Sequence, residues 1–471
     1  MNRKIIIFWF LMIIPLFVVA NPLVALAAAA ILLALLSPRT PIEKVCFYIG
    51  TFAAMSADVN YYMPFPGINY LIIIDYAKIS FLILLLPLLF RKAQQFSRLE
   101  RSMSIALVLF ALTAAALSFR DLPFTSALRA AVDQCILVLP AIAIAATIRN
   151  AEDFQRIRNV LVTFATIFAA ISAVSQLVRW NFYADGGMAD VRSGILRIGV
   201  TTVPALAGFI GFVGMMASTQ VFKNKPIAWY RVWSLRMGFV LLAVFSYSRG
   251  AWVAAIVGMG IYRLMLSKVS NAAVALIAIA GAVAGFIGGT TTLLDYDPYG
   301  TFSYRVALLR AAKVQFMDAP LFGSPNFLQS GHFDHLWTGM GIIDVVNTYV
   351  QVTMLYGAIG MALFALPFVF FFRRSMQLRN PSVARSDEAQ RKKNELIAFS
   401  WSLMTAYLTL ILTISSVSYI LNFGYLLLGI CVGLAARGTE SVAEAVPVMA
   451  MHKEYGRRLA GRGPQVPRTL R

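Results

Sequence analysis

Residues 237–262 read MGFVLLAVFSYSRGAWVAAIVGMGIY, two apolar runs separated by the polar hinge Ser246-Tyr-Ser-Arg-Gly250. A guanidinium held inside a bilayer costs roughly 2.5 to 3.5 kcal/mol unless it is paired or hydrated. An antiparallel pair of spans, 237–248 and 251–267, with Ser248-Arg249-Gly250 at the outer turn, avoids that cost. Arg249 then faces a polar cavity open to the outside.

The rest of the chain extends this pattern. Of 471 residues, 59% are apolar and 13% charged, with a mean hydropathy of +0.73. Such a chain has too few polar residues to cover a soluble domain of its size. Apolar stretches long enough to cross a hydrocarbon core of about 30 Å recur at 43–57, 68–90, 103–118, 130–148 and 159–178, then at 198–220 and 270–290. Three more lie at 345–372, 395–415 and 417–436. The first four residues and the apolar run to Ala20 resemble a signal peptide. Pro22 and a second run to Leu36 make an uncleaved helical hairpin the better reading. The expected fold is all-α, a polytopic transmembrane helical bundle of about 12 to 14 spans. Its expected divisions are transmembrane helices over 1–290, a long external loop with short helices over 291–344, transmembrane helices over 345–436 and a basic cytoplasmic tail over 437–471.

Charge orients the spans. The formal charge of +20 would suggest nucleic acid in a soluble protein. Here the basic residues collect on alternate connections: Arg39 and Lys44, then Arg91, Lys92, Arg98 and Arg101, then Arg149, Arg156 and Arg158, and later Arg373 to Lys393. That is the cytoplasmic signature, and it places both termini inside without any nucleic-acid partner. The three cysteines lie in apolar stretches and imply neither disulfides nor a metal site. No phosphate-binding loop or serine-nucleophile elbow is present.

The external side is nevertheless rich in arginine: Arg120, Arg129, Arg179, Arg192, Arg197, Arg249, Arg305 and Arg310. Arginine's planar fork suits bidentate phosphate binding, and Ser303 reads as the N-cap of a helix running to Met317 that carries Arg305. In the same loop His332, His335 and Asp344 offer a general base. Asp75 and Lys78 share a helix face in the 68–90 span, as an ion pair that locks packing or as supporting groups of the site. Asp133 is a similar intramembrane acid. No metal and no cofactor are expected.

Several short motifs, in order and spacing, resemble the O-antigen ligase and polysaccharide polymerase superfamily. They are Gly194-Ile-Leu-Arg197-Ile-Gly199, Pro204, Ser248-Arg249-Gly250-Ala-Trp252, Ser303-Tyr-Arg305 and Ala319-Pro-Leu-Phe-Gly323, followed by Val346-Asn347-Thr-Tyr349-Val-Gln351 and Gly357-Ala-Ile-Gly360. The resemblance implies metal-independent glycosyl transfer on the outer face of the bacterial inner membrane, from an undecaprenyl-diphosphate-linked glycan. It implies membrane lipids and other polysaccharide assembly and export proteins as partners. By the same similarity Arg197, Arg249 and Arg305, with Arg310 nearby, bind the departing diphosphate, and Asn347 and Tyr349 support the site. Two positions depart from the pattern: Val346 stands where ligases have His, and Leu355 where many have Glu. The departures favour a polymerase of lipid-linked repeat units over a ligase. A lipid-linked oligosaccharide flippase is the alternative from another class, though it has no need of a long folded external loop.

Overall fold

The computed structural model describes residues 2–18, 21–55, 61–65, 68–90, 96–178, 191–192, 195–196, 204–221, 229–267, 270, 273, 301–336, 343, 345, 347–379, 388–414 and 418–438. Nearly all of the expected span at 270–290 and of the basic tail, together with Arg179, Arg197 and Asp344, lies outside them. Among the described residues the chain is all-α, with fourteen helices and almost no sheet. They are α1 (Asn2–Val18), α2 (Pro22–Leu36), α3 (Pro41–Thr51), α4 (Tyr76–Leu89), α5 (Arg98–Asp121), α6 (Phe124–Thr147) and α7 (Ala151–Val178). Then come α8 (Pro204–Val221), α9 (Trp229–Phe245), α10 (Arg249–Leu266), α11 (Thr301–Asp318), α12 (Thr348–Leu378), α13 (Glu388–Ile411) and α14 (Ser418–Gly433). Six of the described helices are long and apolar enough to cross a membrane, and α2, α4 and most of α8 are shorter apolar helices.

Local chemistry sets the boundaries. The start of α5 is a capping box: Ser97 Oγ accepts from Glu100 N at 3.2 Å, and Ser97 N donates to Glu100 Oε2 at 2.7 Å. The segment from Ile68 departs from the single span expected of it. Ile68–Ile74 forms a strand paired antiparallel with Tyr61–Phe65, and the helix begins only after Asp75. The β-branched run Ile72-Ile73-Ile74 suits a strand better than a helix. Asp75 then caps α4, its Oδ1 accepting from Lys78 N at 2.8 Å.

Helix ends sort into two groups. At one end Arg379, after α12, donates to Met265 O and Ser267 O at 3.0 and 2.9 Å, closing the C-terminus of α10. Burial pulls the pKa of this guanidinium down. Gln390 of α13 reaches Leu378 O at 3.4 Å, and Gly433 of α14 packs on Ala145 and Ile148 at the end of α6. Arg149, Arg156, Arg158, Arg263, Arg373, Arg374 and Arg391 to Lys393 stand on the elements that meet here. The opposite end gathers the starts of α10 and α12 and the end of α13. Between the two ends lies one apolar core, threaded by edge-on and tilted ring contacts such as Phe52 with Phe423 at 5.5 Å and Phe164 with Phe168 at 4.9 Å.

Helix α11 belongs to a second, smaller apolar cluster. Leu308, Ala311 and Ala312 pack with Phe327, Phe333, Leu336, Val345 and Met354. The helix begins at Thr301, so Ser303 stands in its first turn rather than at its N-cap.

Candidate functional site

The hinge that interrupts residues 237–262 is a tight turn. Helix α9 ends at Phe245, Tyr247 takes a left-handed φ of 46°, and Ser248 caps α10 by accepting from Ala251 N at 3.4 Å. Trp252 Nε1 donates back to Ala243 O at 2.8 Å, tying the two helices together. Arg249 is thereby the first residue of α10, exposed, with no hydrogen bond among the described residues. Gly250 is required by contact: a Cβ there would collide with Thr413 Oγ1, just past the end of α13.

Thr413 links this turn to the second arginine. Its carbonyl accepts from Arg305 Nη2 at 3.2 Å, and the next carbonyl, Ile414 O, accepts from Thr348 Oγ1 at 2.9 Å. Four elements therefore meet around Thr413-Ile414: the starts of α10 and α12, the first turns of α11 and the end of α13. Asn347 caps α12 through Oδ1, which accepts from Tyr349 N and Val350 N at 2.9 and 3.1 Å. Tyr349 OH donates to Leu408 O at 3.0 Å. Both side chains position the start of α12 against α13. Two helix N-termini and two arginines at one place favour a polyanion.

Other sequence-selected residues fall elsewhere. His332 Nε2 lies 2.9 Å from Asp318 Oδ2, at the far end of α11. Asp318 is thirteen residues beyond Arg305, which at the helical rise is about 20 Å. The structure thus does not bring His332 to the arginines, and His335 is exposed on the same turn. Arg310 is exposed on α11, one to two turns past Arg305. Arg120 is occupied structurally, paired with Asp121 and donating to Gly323 O at 2.9 Å. Lys78 Nζ contacts Asp75 Oδ2 at 2.6 Å and Asp133 Oδ1 at 2.9 Å, a three-membered cluster joining α4 to α6. The next residue, Gln134, donates to Tyr356 OH at 3.1 Å. Among the described residues no group of three or more His, Cys, Asp or Glu is placed to hold a metal.

Sequence reading missed a backbone joint. Helix α12 is broken at Gly357, where φ is 66° and ψ is −166°. The strip Ala319–Ser324 fills the break: Ala358 N and Ile359 N donate to Pro320 O and Leu321 O at 2.9 and 3.2 Å, and Ser324 N donates to Met354 O at 2.8 Å. The clue in the sequence was the pair of glycine-bearing motifs at 319–323 and 357–360, whose mutual contact only the structure reveals.

Residues 237–365 match the Wzy_C family, O-antigen ligase. The match supports the O-antigen ligase and polymerase superfamily, and it spans the Arg249 turn, Arg305, the Asn347 cap and the joint at Gly357. With the six long apolar helices among the described residues, it supports an integral membrane protein that carries a region similar to O-antigen ligases. The family implies glycosyltransferase-like ligase or polymerase activity and a lipid-linked glycan substrate in the membrane. A search of curated proteins found no match.

Proposed function

We propose that this protein polymerises undecaprenyl-diphosphate-linked oligosaccharide repeat units into an exopolysaccharide or O-antigen, at the outer face of the bacterial inner membrane. The observation that carries the reading is the convergence on Thr413-Ile414 of Arg305, whose guanidinium donates to Thr413 O, and of the N-termini of α10 and α12, the first of which begins with Arg249. As the bond between the anomeric carbon and the diphosphate breaks, negative charge grows on the leaving group. Cations fixed in advance stabilise that charge more than they stabilise the bound donor. Arg197 joins them on this reading, and no metal is needed. The general base is the carboxylate of Asp344, three residues before the Asn347 cap in sequence. His332 pairs with Asp318 at the end of α11 opposite Arg305, which favours Asp344 over it in this role. The concentration of basic residues at the opposite end of the bundle supports a periplasmic site with both termini cytoplasmic.

The test is reconstitution of the purified protein with one lipid-linked repeat unit and no other acceptor. A size ladder that disappears in Arg249→Ala supports polymerisation. Folded protein that makes no ladder alone but transfers the glycan once a lipid A core is added would make it a ligase. Movement of the lipid-linked unit across vesicles without transfer would make it a flippase.

A further inference from the structure

At the end of the bundle opposite the arginine site, a cavity of about 490 Å³ opens between the first three helices, lined by Lys4, Leu35, Ser37, Pro38, Arg39 and Glu43. Small-ligand sites commonly fall in this size range. The wall is divided chemically, with two cations on one part and an apolar leucine, 74% exposed, on another. Lys4 Nζ donates to Leu36 O at 3.3 Å, the carbonyl that ends α2, and an ammonium with three N–H groups keeps two for a ligand. Arg39 is exposed and makes no hydrogen bond among the described residues. Helix α3 starts beside the cavity, and Thr40 provides no side-chain cap for its first N–H groups. Glu43 opposes an anion, but Arg156 interacts electrostatically with this carboxylate and offsets part of its charge.

We infer that this cavity seats the phosphate of an anionic phospholipid, with Lys4 and Arg39 as counter-charges and Leu35 along the acyl chain. A free phosphate would use the cations and leave the leucine wall without a role. Basic pockets between membrane helices hold anionic headgroups in the same way. Nothing in the glycan-transfer reading bears on this site.

Native mass spectrometry of the detergent-purified full chain, titrated with phosphatidylglycerol or phosphatidylcholine, tests it. Phosphatidylglycerol should bind in preference, and Lys4→Gln and Arg39→Gln should each weaken it about fivefold. Glu43→Gln should strengthen it, an outcome that misfolding cannot mimic. Arg249→Ala should keep the lipid, so that failed transfer and failed lipid binding are told apart. Unchanged phosphatidylglycerol binding when Lys4→Gln and Arg39→Gln are combined would overturn the inference. So would equal phosphatidylcholine binding, or displacement of the lipid by millimolar inorganic phosphate, which would assign the cations to a free anion.

Discussion

Replacing Gly357 by alanine should be among the most damaging single-methyl changes in the chain. The backbone there occupies a region reserved in practice for glycine, and a side chain in it costs about 1 to 3 kcal/mol. The added Cβ would also collide with the carbonyl of Leu321 and the nitrogen of Phe322, which are main-chain atoms and cannot swing aside. Moving the strip away sacrifices three backbone hydrogen bonds, from Ala358, Ile359 and Ser324, at a net value of about 1 kcal/mol each. With partial relaxation, a total near 4 kcal/mol is expected. Gly260→Ala on α10 is the matched control, because nothing lies within 4 Å of a Cβ there and alanine favours a helix by about 0.5 to 1 kcal/mol. The two variants should therefore differ by about 5 kcal/mol and move in opposite directions in denaturant titrations of detergent-solubilised protein. If Gly357→Ala unfolds within about 1 kcal/mol of the parent, the described interlock is wrong.

Arg249→Ala should reduce transfer about 100- to 1000-fold while the protein still inserts, with Arg249→Lys in between because a point charge replaces a planar fork. A normal size ladder from the alanine variant would remove the diphosphate argument. Arg305→Ala is a less clean probe, since it also removes the bond to Thr413 O. His332→Ala should retain most transfer and lose only a surface pair worth about 0 to 1 kcal/mol, whereas Asp344→Asn should abolish transfer. Single-turnover rates for the two variants would reverse that assignment if His332 proved the more sensitive. Lys78→Met should destabilise the protein by about 3 kcal/mol by leaving Asp75 and Asp133 without a cation, at the lower end for a broken pair because Asp133 is 46% exposed. Asp75→Asn keeps a capping side chain and the Asp133 contact, so thermal melts should show a smaller loss.

The membrane fold was legible because apolar runs and alternating basic loops are local properties of a chain. The turn at Arg249 was legible for the same reason, being a polar interruption in an apolar stretch. Where two local signals competed, hydropathy misled: residues 68–90 are apolar throughout much of their length, yet the isoleucine run prefers a strand and Asp75 starts the helix late. The site itself was only half visible. Arginine content pointed to Arg249 and Arg305, but what brings their helices together is contact with Thr413-Ile414, where Arg305 and Thr348 donate to main-chain carbonyls that no residue type advertises. The partnership of Lys78 with Asp133 likewise depends on packing between helices distant in sequence. The two histidines attracted a catalytic reading through residue type alone, and the length of α11 sets one of them far from the arginines.

The joint at Gly357 is made by main-chain atoms, so the side chains of the strip that enters it have no part in holding it. Leu321 and Phe322 supply a carbonyl and a nitrogen to the break while their side chains remain exposed. Glycine at two positions specifies the attachment. The intervening side chains can therefore be exchanged without unfastening the strip from the helix that it steadies.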